Sequence, residues 1–247
     1  MPTRTETIAR SINKAVARAS LDEVMSRLKS LGSERNRAGM QRYGINVDKA
    51  FGVSVTKLRA LAKEIGRNHE LSLQLWSTRI HEAWILAALV GEPEKVTPRQ
   101  MDAWVRDFDS WDVCDTVCGS LFDKTPFAYK KAADWSQKDK EFVKRAGFAL
   151  MAWLAVHDKK ANNKSYEKFF LSIRRGATDE RNFVKKAVNW ALRQIGKRNR
   201  ELNKKAITLS KEIQKINSKS ARWVANDALK ELTSSKVQAR LDGARMK

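Results

Sequence analysis

Cysteine is nearly absent: Cys114 and Cys118 are the only two in 247 residues. Four apart on one predicted helix, they are poorly placed to bridge each other, which excludes a disulfide framework and suits a reducing compartment. Histidine is also scarce, and His69, His81 and His157 stand apart without metal-ligand spacing, so neither a metal nor a cofactor is expected. Four prolines and eleven glycines leave long stretches of Ala, Leu, Lys, Arg and Glu unbroken, which favours helix. No convincing run of alternating β-branched residues between turn pairs argues for strands. Nor does any apolar stretch approach the roughly 18 residues needed to span a bilayer, so no membrane role is expected.

What the chain has in excess is positive charge. Lys and Arg number 49 against 28 Asp and Glu, a formal +21, and 42% of residues are apolar, enough for a sizeable core. The excess is uneven: residues 159–219 hold 18 basic and 5 acidic side chains, a net +13. Such a field favours a phosphate backbone as partner. The opening stretch, MPTRTETIARSINKAVARAS, is basic and amphipathic like a targeting peptide. Glu6 and Asp22 interrupt that pattern, and a first helix is expected there.

The chain also repeats itself. EFVKRAGFALMAWLA from Glu141 and NFVKKAVNWALRQIG from Asn182 superpose without a gap at a displacement of 41 residues, and SARWVANDALKEL from Ser220 matches at a further 37. Periods of this size belong to helical pairs of the HEAT type, which bury their apolar faces by stacking. The expected fold is all-α: a HEAT-like helical-repeat solenoid with a concave basic groove. One domain is expected over 1–233, with 1–30 as an N-terminal helical cap and a segment around 30–45 as linker. The basic tail 234–247 loses apolar periodicity and is expected to fray.

Projection at 100° per residue assigns faces. In the helix from Ser110, Val113, Cys114, Val117, Cys118 and Leu121 share the core side, which accounts for both cysteines without chemistry. Asp109 and Ser110 suit the N-cap. Trp111 and Asp115 lie one turn apart at the margin, and Gly119, next on that row, is expected to leave open space beside Asp115. Phe142, Ala146 and Leu150 define one core face of the repeats, and Phe183, Ala187 and Ala191 the other. Lys186, Trp190 and Arg193 then share a strip, with Arg145, Ala149 and Ala152 as counterparts. Arg145, Lys186, Arg193 and Trp190 are expected to line a groove. The other tryptophans, Trp76, Trp84, Trp104, Trp135, Trp153 and Trp223, read as packing residues.

Basic side chains interleaved with aromatics supply backbone binding and stacking. A carboxylate among them repels phosphate, so Asp115 calls for a reason. It has one where positive charge develops on a sugar, as in N-glycosidic cleavage through an oxocarbenium-like transition state. Tryptophan faces nearby add attraction to a cationic base.

SWDVCD followed by FVKRA and FVKKAVNWALR resembles the signature of the AlkD-type DNA alkylation repair glycosylases, over most of the chain from MQRYGI to near Leu232. The resemblance implies a HEAT-like solenoid that removes cationic N3- and N7-alkylated purines, N3-methyladenine and N7-methylguanine, from double-stranded DNA. It implies hydrolysis without a lyase step, without base flipping, and with Asp115 as catalytic aspartate. Trp111 and Trp190 correspond to the aromatics of the cleft, Arg145 to the arginine near the lesion-side backbone, and Tyr43 to a DNA-contacting tyrosine. Lys186 and Arg193 join them as phosphate contacts. A monomer in the bacterial cytoplasm, on the nucleoid when DNA-bound, is the matching expectation. The alternative is a HEAT-repeat protein that binds DNA or RNA without excising bases.

Overall fold

The computed structural model describes residues 19–243. The helix expected at the extreme N-terminus falls largely outside them. The described residues are helical, with no strand among them, as the low proline and glycine content foretells. Where the sequence reading takes 1–233 as one domain, the packing divides the described chain into two compact units, residues 19–43 with 47–91, and residues 44–46 with 92–243.

In the first unit α1 (Leu21–Ser30), α2 (Glu34–Arg42), α3 (Val55–Ile65) and α4 (His69–Ser77) accompany α5 (His81–Val90). Helix α5 is apolar all round and packs against α1, α3 and α4. Its one buried carboxylate, Glu82, accepts backbone N–H bonds from Phe51, Gly52 and Val53 at 2.9, 2.7 and 3.1 Å. Those bonds fix the turn at Gly52, whose φ of 79° and close approach to Ser33 leave no room for a side chain. Trp76 and Trp84 are core, stacked 5.0 Å apart. Helix α2 occupies the segment expected as linker. It buries no residue, and is held instead by its Ser33 cap and by bonds from Asn36 to Gly52 O and Arg37 to Val47 O.

The second unit carries α6 (Pro98–Asp107), α7 (Trp111–Ser120), α8 (Ala128–Trp135), α9 (Glu141–His157), α10 (Asn163–Glu167), α11 (Phe170–Gly176), α12 (Asn182–Gly196), α13 (Arg200–Gln214), α14 (Lys219–Leu232) and α15 (Ser235–Gly243). Helix α7 packs on α9, α9 on α12, and α12 on α14, forming one continuous layer. Helices α8, α11 and α13 back α9, α12 and α14 in a second layer. This is the two-layer plan that the displacements of 41 and 37 residues require. Two glycines set the interlayer spacing. A Cβ on Gly147 of α9 would lie 2.4 Å from Ser136 N, and one on Gly176 of α11 would lie 2.5 Å from the Phe148 ring. The tail does not fray at its start: α15 forms, with Val237 and Leu241 buried. Two apolar residues four apart anchor one helical face, a signal too short for a periodicity search.

Candidate functional site

Helices α7 and α9 lie side by side and present facing rows at helical spacing. Asp115, Gly119 and the following Asp123 step by four; opposite them stand Arg145, Trp153 and His157. Asp115 receives both arms of one guanidinium, Arg145 Nε to Oδ1 at 3.0 Å and Nη2 to Oδ2 at 2.7 Å. The third arm, Nη1, donates to Phe183 O at the start of α12 at 2.6 Å. Arg145 therefore ties three successive repeats together. The indole of Trp153 lies against Gly119, where an added Cβ would come within 2.3 Å of the ring, and its Nε1 donates to Asp115 O at 2.9 Å. The open space expected beside Asp115 is thus filled by Trp153. One turn on, His157 stacks on Trp153 at 4.8 Å, and its Nδ1 lies 2.5 Å from the buried Asp123 carboxylate.

Burial pushes the Asp115 carboxyl above its ordinary value, while the charge and N–H groups of Arg145 pull it back. Burial acts to lower Arg145, and Asp115 outweighs it and holds the guanidinium above its ordinary value. Two short bonds from one planar fork demand the ionised carboxylate. The Asp115 side chain is 19% exposed and that of Arg145 7%, so the acid is the more accessible member of the pair.

The expected groove is only partly assembled. Arg145 is buried against Asp115 and offers nothing to a phosphate; projection of α9 alone could not show a carboxylate thirty residues earlier. Trp190 is half-buried and meets Trp153 edge-on, centroids 5.3 Å apart at 82°. Trp111, first residue of α7, is half-buried one turn before Asp115. Lys186 is exposed on α12. Arg193 pairs with Glu231 and lies 3.6 Å from Asp227, so its charge is met within the fold. Tyr43 belongs to the first unit, where it caps α2 and is 73% exposed. Phe142 and Phe183, expected in the core, are half-buried and pack on each other across the α9–α12 seam at 5.6 Å. Cys114 and Cys118 are buried free thiols directed at Phe142 O and Ala146 O, and burial raises the Cys118 thiol well above its ordinary value. Among the described residues no group of three potential ligands could hold a metal.

Sequence reasoning missed Trp153, Asp123 and His157 as companions of Asp115. Their signal was the four-residue spacing of Asp115, Gly119 and Asp123, with a glycine where a facing ring must lie. Together the residues make a fixed, partly accessible Asp115, with the Trp153 indole bonded to its backbone and Trp190 meeting Trp153 edge-on. A fixed carboxylate can stabilise a nearby cation, and the lone pairs that the guanidinium leaves free can accept a bond from water.

Comparison with known proteins agrees with this plan. A solved structure described as a new family of proteins related to the HEAT-like repeat DNA glycosylases, with affinity for branched DNA structures, superposes with a TM-score of 0.73. It covers 92% of this chain and 96% of its own at 20% identity, which shows the fold. An uncharacterized protein of Listeria innocua, Lin0241, is 22% identical over 169 residues, 67% of this chain and 73% of its own. Lmo0209 of Listeria monocytogenes, also uncharacterized, is 21% identical over the same span. The model of the DNA alkylation repair enzyme family matches residues 24–232, both units included, and this AlkD-type chain belongs to that family.

Proposed function

We propose that the chain is a monofunctional DNA glycosylase that hydrolyses the N-glycosidic bond of cationic alkylated purines, N3-methyladenine and N7-methylguanine, in duplex DNA. The observation that carries this reading is the Asp115 carboxylate, oriented by a buried guanidinium, with Trp153 bonded to its backbone and Trp190 edge-on to Trp153, in a chain of net charge +21. A fixed carboxylate of this kind suits the charge that develops on a sugar, not the phosphate that a chain of this charge attracts. The alkylated base is already positive and departs without a strong acid, so the fixed negative charge and an oriented water suffice. No amine nucleophile is needed, and no lyase step follows. Trp111 and Trp190 face the sugar and the cationic base, and the base stays in the duplex. Arg145 acts as a positioning residue for Asp115. Lys186, exposed, contacts phosphate, and Tyr43 contacts DNA from the first unit. Arg193 is assigned no contact, its charge being met by Glu231 and Asp227. The protein works as a cytoplasmic monomer on the nucleoid.

A second reading, DNA binding without excision, draws on one observation: both Asp115 oxygens already accept bonds from Arg145. Release of free 7-methylguanine from methylated duplex DNA separates the two. The glycosylase reading expects release by the wild type and a loss of at least about 100-fold in Asp115→Asn, with duplex affinity retained. Tight duplex binding by both proteins with release by neither establishes the second reading.

A further inference from the structure

We propose that Trp223 and Lys185 form a stacking site for an unpaired nucleobase, extending the DNA contact beyond the Asp115 cleft; this rests on the reading of the chain as a DNA-binding protein. Trp223 reads from sequence as a packing residue, yet it is 40% exposed. Its place in the repeat is that of the exposed Lys186. Asp115, Arg145, Lys186 and Trp223 are each the fifth residue of their helices, α7, α9, α12 and α14, and these helices pack successively in one layer. The displacements of 41 and 37 residues that align the repeats also carry Arg145 onto Lys186 and Lys186 onto Trp223. One register position therefore runs from carboxylate to guanidinium to ammonium, and ends on an indole.

The surroundings of that indole match a nucleotide. Lys185 Nζ lies 5.6 Å from the ring centroid, which places a phosphate-binding ammonium within the span of one nucleotide of the stacking surface. Lys186, Lys219 and Arg222 are exposed on the same first turns of α12 and α14. Three carboxylates stand near: Glu180, which accepts from Ser218 Oγ at 3.4 Å, Asp227, 3.6 Å from Arg193, and Asp179, bonded through its backbone by Ser220 and already paired with Lys144 and Arg181. Cations outnumber them, so the patch attracts an anion. An acidic peptide would be held by the lysines and has no use for the indole. A base inside a duplex has both faces covered by its neighbours, whereas an unpaired base offers a face to the indole. Three interaxial steps of about 10 Å separate Trp223 from Asp115, roughly 30 Å. That is about nine base pairs at 3.4 Å each, so a paired lesion site and an unpaired segment can be engaged by one molecule.

Fluorescence anisotropy with a labelled, fully paired oligonucleotide and with the same duplex carrying a single-stranded overhang tests this. The wild type is expected to bind the overhang form roughly 5- to 100-fold more tightly, the range of one base–aromatic stack. Trp223→Ala should remove that preference while leaving the paired duplex affinity and the release of 7-methylguanine unchanged, and Trp223→Phe should retain most of it. Lys185→Ala should weaken overhang binding partway. Equal wild-type affinity for the two DNAs, or an equal loss for both in Trp223→Ala, overturns the stacking site and leaves the glycosylase reading standing. Absence of binding to either DNA overturns both. Trp223 is partly exposed on a helix, and a melting curve of each variant confirms that the fold is intact.

Discussion

Helices α9 and α12 carry nearly the same five residues from their second position, Phe-Val-Lys-Arg-Ala and Phe-Val-Lys-Lys-Ala, and put them to different uses. In α9 both cations are committed within the fold: Lys144 reaches Asp179 at 2.9 Å and Arg145 clamps Asp115. In α12 the equivalents face outward, Lys185 over the Trp223 ring and Lys186 into solvent. The interlayer contacts differ in the same way. Helix α9 supplies the glycine where it meets α8, whereas at α12 the glycine is in the partner, Gly176 of α11, and Val188 fills the position of Gly147. A repeat thus fixes position and direction, and its neighbours decide whether a charge serves structure or a ligand.

Breaking the comparison should cost most at Arg145. Arg145→Ala leaves Asp115 without its partner and removes the extra bond to Phe183 O, and a loss of about 3–5 kcal/mol is expected in chemical denaturation. Lys186→Ala, at the same repeat position, should stay within about 0.5 kcal/mol of the wild type. Similar losses at the two sites would mean that the repeats are equivalent after all. Gly147→Ala comes next. The new methyl meets the Ser136 backbone, which moves less readily than a side chain, so a loss of about 1–3 kcal/mol is expected in the thermal melt.

Smallest is the acid response of Asp179. Its burial alone would raise it, but the bonds from Arg181 and Lys144 hold it at about 2, below its ordinary 3.8. A depressed carboxyl stabilises the fold above its unfolded value and loses that contribution as pH falls through its folded one. Stability on the order of 1–2 kcal/mol should therefore disappear between about pH 4 and 2. Asp179→Asn should flatten that part of the pH–stability curve, and an unchanged curve would show that the Lys144 pair contributes nothing.

These contrasts also mark what could be read from the chain. The repeat register, the helical class and the burial of both cysteines follow from spacing alone, because a stacked helix must bury one face and Val113, Cys114, Val117, Cys118 and Leu121 share it. Trp111 and Asp115 were legible as neighbours for the same reason. Partners across helices were not. Nothing local to Arg145 announces Asp115, and the gap at Gly119 looks like open space until Trp153 is laid into it. Helix α2 escaped because its nine residues bury nothing and depend on caps. Trp223 escaped because apolar bulk usually signals a core, and only its register with the exposed Lys186 marks it as lying outside.

The two thiols carry a last consequence. Agents that alkylate DNA are electrophiles, and the thiolate is among the softest nucleophiles a protein can offer them. In this chain Cys114 and Cys118 are sealed between α7 and α9, and burial keeps the Cys118 thiol protonated far beyond its ordinary range. In the presence of such agents the chain shows them no sulfhydryl: the packing of α7 on α9 that positions Asp115 also passivates the protein.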